Sequence, residues 1–251
     1  MLKLRRVERI NQRSDKTNNG KTKFMKKILT ATILAGAMAA TSVWAIPSSG
    51  EVNVKRIPGY YTSNGGEFTV TAVDESFSFQ TFCLEKNEQV GSNPHYYEIN
   101  PYDAAVAGGV GGWTTLPNGE QGDPISLGTA YLYSQFRKGT LAGYDYTPGS
   151  GREASAGLLQ IAIWWLEDEQ SLKVPLNNPF LNLLDGIDSN TDWKVDADGA
   201  YGVKVFNMYT RGKDGTLVFK QDFLYVPDGG LTLAFLGMGL AGLAGMRRIR
   251  K

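Results

Sequence analysis

Three hydrophobic rhythms divide the chain. Between residues 51 and 85, apolar and polar positions alternate with a period of two. The alternation is clearest in Glu67-Phe68-Thr69-Val70-Thr71-Ala72-Val73 and Ser76-Phe77-Ser78-Phe79-Gln80-Thr81-Phe82-Cys83. Aromatic and β-branched residues fill both runs, which predicts strands. In the second run Phe77, Phe79, Thr81 and Cys83 share one face, and Phe82 points the other way. Ser63-Asn64-Gly65-Gly66 ahead of them is turn chemistry. Residues 86–125 are interrupted by Gly108-Gly109-Val110-Gly111-Gly112 and by Pro117-Asn118-Gly119, so they read as loop-rich.

From Ser126 the period lengthens. Leu127, Ala130, Tyr131, Ser134 and Gln135 make a helical stripe within residues 126–140. A second helix is predicted over Arg152–Gln170, with Ser150 as N-cap and Glu153 at capping-box spacing. Its centre, Gly157–Glu167, is the longest apolar run between the two ends of the chain. It is apolar nearly all round, as in a buried helix, and Gln160 sits in its middle. A short helix is predicted over Pro179–Ile187. Strands return at Trp193–Val195, Tyr201–Phe206 and Leu217–Phe219. The order of strands, helices and strands predicts an α+β fold, a sandwich- or barrel-like β-sheet lobe with an inserted helical lobe.

The two ends follow other rules. Met25-Lys26-Lys27, the apolar segment Ile28–Met38 and the small-residue end Val43-Trp44-Ala45 form a secretory signal pattern with cleavage expected after Ala45. Residues 1–24 are polar and basic without apolar period, the composition expected if an upstream start is read in place of Met25. At the other end, Val226-Pro227-Asp228-Gly229-Gly230 precedes an apolar stretch from Leu231 to Met246 and then Arg247-Arg248-Ile249-Arg250-Lys251. Sixteen residues make a helix of about 24 Å, slightly short for a bilayer span. The basic tail would stay cytoplasmic. This three-part ending resembles the PEP-CTERM sorting signals in a Val-Pro-Asp-Gly-Gly form. That resemblance implies processing by an exosortase in a Gram-negative-type envelope, transient insertion of the C-terminal helix in the cytoplasmic membrane, and delivery to the cell surface or extracellular matrix. Three parts are expected: the extension and signal at 1–45, a body at 46–225 and the sorting segment at 226–251.

Charge sharpens this division. The formal net charge of +1 hides two basic ends around an acidic body, since residues 46–246 carry 12 basic and 23 acidic side chains, a net −11. An acidic body argues against nucleic acid as the partner.

One cysteine, Cys83, and one histidine, His95, are present. Exported proteins usually pair their cysteines, so a lone one requires explanation. It can be an inert buried thiol, half of an intermolecular disulfide, a nucleophile, a metal ligand or the attacker of a glutamine side chain. His95, in Ser92-Asn93-Pro94-His95, has no evident orienting motif. One Cys and one His cannot hold a metal tightly alone, so neither metal nor cofactor is expected. The acidic residues Asp188, Asp192, Asp196 and Asp198 do not fit an EF-hand loop and read as surface. Glu167-Asp168-Glu169 reads as a solvated helix end.

Phe82-Cys83-Leu84-Glu85 and Leu159-Gln160-Ile161-Ala162-Ile163-Trp164 resemble the two motifs of bacterial thioester domains, adhesin modules with a β lobe and an inserted helical lobe. The resemblance implies an internal thioester between Cys83 and Gln160, with Phe82, Glu85, Ala162 and Trp164 around it. Glu85, two residues along the strand, is the candidate to take the thiol proton. The implied partner is an amine-bearing surface or matrix macromolecule, captured through a lysine. Such capture is a single-use reaction and not enzyme catalysis. The competing expectation is a non-covalent structural or carbohydrate-binding envelope protein with an inert cysteine.

Overall fold

The computed structural model describes residues 46–62, 65–106, 109–110, 113–169 and 177–227. The predicted signal with its cleavage after Ala45, the Asp228-Gly229-Gly230 part of the sorting motif and the tail 231–251 lie outside the described residues. Among the described residues no helix is long and apolar enough to cross a membrane.

The described chain is mostly β. A six-stranded antiparallel sheet has the order β3-β2-β1-β4-β8-β9, built from β1 (Ser49–Arg56), β2 (Gly66–Ala72), β3 (Ser78–Phe82), β4 (His95–Asn100), β8 (Lys204–Arg211) and β9 (Leu217–Tyr225). Short strands β5 (Ala104–Ala105), β6 (Thr114–Thr115) and β7 (Gln121–Pro124) form a small second sheet. Three helices, α1 (Leu127–Arg137), α2 (Ser150–Leu166) and α3 (Pro179–Ile187), all fall between β7 and β8.

The large sheet curls until its two edges meet. Cys83, just past β3, bridges antiparallel to Phe223 of β9, and Leu84 N–H donates to the Asp222 carbonyl at 3.0 Å. Alternation along the strands divides the apolar side chains into two cores. Val52, Val70, Phe79, Cys83, Phe206, Phe223 and Tyr225 fill the curl, with Trp164 of α2. Phe82, Leu84, Val205 and Leu224 point the other way, into a core shared with Leu159, Ala162, Ile163 and Leu166 of α2. At this seam both faces of the sheet are therefore buried, because a helix covers what water would otherwise reach.

Several local expectations are corrected. Residues 86–125 are not only loop, since β4 and the small sheet lie there. His95 opens β4 and is fully buried. Trp193–Val195 is not a strand. The Trp193 and Val195 carbonyls instead accept from Gly128 and Leu127, taking up free N–H groups at the start of α1. Tyr201 and Gly202 have positive φ and delay β8 to Lys204. Ser150 is the first residue of α2 rather than its cap. The cap is Gly149, at φ 144°, a value side chains disfavour, and Glu153 is drawn away to accept from Gly59 N–H at 2.7 Å. Helix α2 ends at Leu166, and Asp168 at φ 57° turns the chain.

One buried ion pair fastens α2 to the sheet. A bulge between Gly66 and Phe68 leaves Glu67 fully buried, and Arg152 meets its carboxylate in a fork, Nε at 2.9 Å and Nη2 at 2.7 Å. Tyr144 adds a hydroxyl bond at 2.7 Å. Removing one partner strands a buried charge. We expect Arg152→Met to lose about 3–5 kcal/mol in denaturant unfolding. The double change Glu67→Leu/Arg152→Met should recover most of it. Equal losses in the single and double variants would show that the pair is not the fastening.

Candidate functional site

The seam joins the two residues singled out by their chemistry. Gln160 faces Cys83 from α2 and is fully buried. Its Oε1 accepts from the Cys83 backbone N–H at 2.9 Å, and its Nε2 donates to the Cys83 carbonyl at 2.8 Å. Cys83 lies beyond the last ladder pair of β3, so its own amide has no strand partner except the bridge to Phe223. Gln160 completes what the sheet leaves open, which is why a polar side chain is tolerated in an apolar helix.

Cys83 is a free, buried thiol. Burial, then the charge of Glu85, push its pKa well above the ordinary thiol value, against a smaller downward pull from Arg56. At neutral pH it is protonated.

The neighbours expected from the motifs divide between the two cores. Trp164 lies with Cys83 in the curl. Phe82 and Ala162 belong to the helical core, although the Phe82 ring and Gln160 Oε1 both crowd Gly66. A Cβ on Gly66 would meet the ring at 2.5 Å, and one on Gly65, at φ 95°, would meet Trp164 at 2.7 Å. The glycine pair is thus required by close approach to the site. Its turn chemistry was legible; this second use was not.

His95 stands apart. It pairs with Val52 across β1, and burial lowers its pKa. It is not among the groups acting on the Cys83 thiol. Among the described residues no three His, Cys, Asp or Glu converge to hold a metal ion.

Beside the seam, Glu85, Asp123, Glu167 and Glu169 line one small cavity with Leu84 and Ala105. Glu167 and Glu169 are buried, which corrects the expectation of a solvated helix end; only Asp168 is exposed. Backbone N–H groups explain the difference. Glu167 accepts from Ser126 N–H at 3.1 Å and from its hydroxyl at 2.7 Å, and Glu169 accepts from Lys86 N–H at 2.9 Å. Glu85 Oε2 accepts from Gln221 Nε2 at 2.6 Å and Asp222 N–H at 3.1 Å, while Oε1 is buried without a hydrogen-bond partner. The surface acids Asp188, Asp192, Asp196 and Asp198 are exposed, as expected.

Burial raises four carboxyls at and beside this cavity, those of Asp123, Glu167, Asp222 and Glu85. Asp123 rises to about 8, helped by Glu167 and Glu169. Glu167 rises to about 7 against its hydrogen bonds, and Asp222 to about 7. Glu85 rises well above its ordinary value through burial and then Asp222. A raised carboxyl keeps its proton in the folded state after the unfolded chain has lost it, so folding weakens as pH climbs through that window. We expect the thermal midpoint to fall by several degrees between about pH 5 and pH 9, the window that ends about one unit above the folded-state value of Asp123. Glu85→Gln, which replaces the unpartnered oxygen by a donor-bearing nitrogen, should raise the midpoint at pH 8 and change it little at pH 5. A midpoint rising toward pH 8 would contradict this assignment.

Comparison with known proteins bears on the C-terminus. No curated protein and no solved structure matches the chain. Residues 225–250 match the VPDSG-CTERM motif. That match supports an exosortase-type sorting signal and indicates an exported protein of the cell envelope or surface.

Proposed function

We propose that the body, residues 46–225, is a thioester module that attaches the exported protein covalently to its target. In this reading the Cys83 thiolate attacks the Gln160 side-chain carbonyl carbon. The carbon–nitrogen bond breaks, and the nitrogen leaves as ammonia carrying the thiol proton. The thioester stores reactivity that an amide lacks, and the buried seam around it keeps water out. A target amine, a lysine side chain on a surface or matrix macromolecule, then attacks the same carbon and releases the Cys83 thiol. The product is an amide bond between the two macromolecules. The reaction is spent after one turnover, so the protein is not an enzyme and needs no cofactor.

The observation that carries the reading is the pair of hydrogen bonds joining the one buried glutamine of α2 to the backbone of the only cysteine. The curled sheet with its helices between β7 and β8 suits a β lobe bearing a helical insertion, and the order signal, module, sorting segment suits surface display. Partners before capture are the secretion machinery, the exosortase and, transiently, the cytoplasmic membrane; nucleic acid is not among them. Trp164 shields the bond in this scheme, whereas Glu85, raised by burial and then by Asp222, is a poor acceptor for the thiol proton.

A second reading has its own observation. Both polar atoms of Gln160 are satisfied and the thiol is held protonated, as in a structural clamp. The protein would then be a non-covalent structural or carbohydrate-binding envelope component with an inert Cys83.

Intact mass separates the two. The thioester reading expects the exported protein to lack the mass of one ammonia, with no such deficit in a Cys83→Ala control. Methylamine should convert it to an adduct and expose the thiol to alkylation. A native mass equal to the sequence, with neither the deficit nor the hydrolysed glutamate form, overturns the covalent reading and leaves the clamp.

A further inference from the structure

A thin wall separates the Gln160 side chain from solvent. It is the turn that leads into β2, where Gly65 N–H donates to the Thr62 carbonyl at 3.3 Å and Thr62 N–H to the Gly66 carbonyl at 2.6 Å. A Cβ on Gly65 would lie 3.3 Å from Gln160 Cγ, and one on Gly66 would lie 3.3 Å from Gln160 Oε1. Those two atoms flank the carbonyl carbon of the side-chain amide, so that carbon sits just behind the glycine pair. Gln160 is fully buried, whereas Gly65 is only half-buried, and water therefore reaches the chain one residue's thickness from the carbon an amine would attack. Beside Gly65 lies the edge of the Trp164 ring, whose Cη2 and Cζ2 the same Cβ would meet at 2.7 Å. Trp164 thus fills the gap that the missing side chain leaves, and it is held there lightly. Its indole N–H is buried without a hydrogen-bond partner, so swinging the ring outward breaks no hydrogen bond and lets that donor reach water. The exposed Lys86 places its ammonium 6.0 Å from the ring centroid, the far limit of a cation–π contact.

We infer that a target amine reaches the Gln160 carbon across Gly65 as the Trp164 ring swings aside, and that this passage selects primary amines on an unbranched carbon chain. This rests on the thioester reading and names the class of amine its site takes. A methyl group on Gly65 has no room beside the ring, so a branched carbon next to the nitrogen demands a larger swing than a straight one. The end of a lysine side chain, a single file of methylenes closing in nitrogen, is the slimmest carrier of an amine that a protein surface presents. At the carbon the nitrogen adds and the carbon–sulfur bond breaks. Sulfur takes the electron pair of that bond, and the proton shed by the nitrogen passes to it. With the ring against Gly65, water is kept from the same carbon. One side chain therefore sets both the lifetime of the bond and its choice of amine.

The test compares the full chain with its Trp164→Phe, Trp164→Leu and Met208→Ala variants. Met208 lies in the same core, on β8, and is not among the groups against Gly65, so its loss loosens the curl without widening the passage. Intact mass is recorded first, to establish the deficit of one ammonia. Adduct formation is then timed with n-butylamine and with isopropylamine, and the ratio of the two rates is divided by the same ratio for a small unhindered thioester. The parent should show an excess selectivity of about tenfold or more for n-butylamine, the scale on which a pocket rejects one misplaced carbon. Trp164→Leu should bring the ratio close to that of the free thioester and speed appearance of the hydrolysed glutamate form. Trp164→Phe should fall between, and it decides the matter if Trp164→Leu lacks the deficit. Met208→Ala should keep the parent's selectivity. A parent with the deficit but no excess selectivity overturns the inference alone. So does a selectivity that both Trp164 variants retain, or one that Met208→Ala loses equally, since that would mark general loosening. A parent without the deficit overturns the thioester reading and the inference with it.

Discussion

The amide of Gln160 closes the place where the curled sheet would otherwise come apart. Cys83 leaves the β3 ladder at the point where β3 must meet β9, and its N–H and C=O face α2 rather than another strand. Two hydrogen bonds contribute only about 1 kcal/mol each, but losing them would leave two buried backbone groups unpaired, which is worse. The rest of the seam follows. Gly65 and Gly66 must lack side chains so that Trp164, Phe82 and the amide can approach. Phe82 and Cys83 must diverge so that one fills the helical core and the other the curl. The Glu67–Arg152 pair then holds α2 at the angle that aims Gln160.

Buried charge is managed in two ways within a short distance along the chain. Glu67 is forked by Arg152, an arrangement that fixes orientation more than it adds stability. Glu85, Asp222 and Glu167 have no cationic partner among the described residues and take backbone N–H groups instead. Their shared solution is to hold protons, which matches the strongly acidic composition of the body to a cavity with no cation.

How much of this was legible depended on the range of the interaction. Helices α1 and α3 and strands β2 and β3 follow from local period, and α3 matches the predicted Pro179–Ile187 because Asn178 caps it. The two chemical residues were legible because each is odd where it stands: a lone cysteine on an alternating strand and a lone glutamine in an apolar helix. What local pattern could not supply is set by partners far along the chain. Glu153 leaves its capping box for Gly59, 94 residues away. Trp193–Val195 gives its carbonyls to α1, and Glu167 and Glu169 are buried by N–H groups of Ser126 and Lys86.

The sorting signal and the fold meet at one residue. The motif match begins at Tyr225, which is also the last residue of β9 and is buried against Phe79 and Phe206. Processing therefore has a boundary set by packing: removal of chain before Val226 would withdraw a core aromatic from the curl and loosen the strand that bridges Cys83. Everything from Asp228 onward can be removed with the nine strands of the described residues intact.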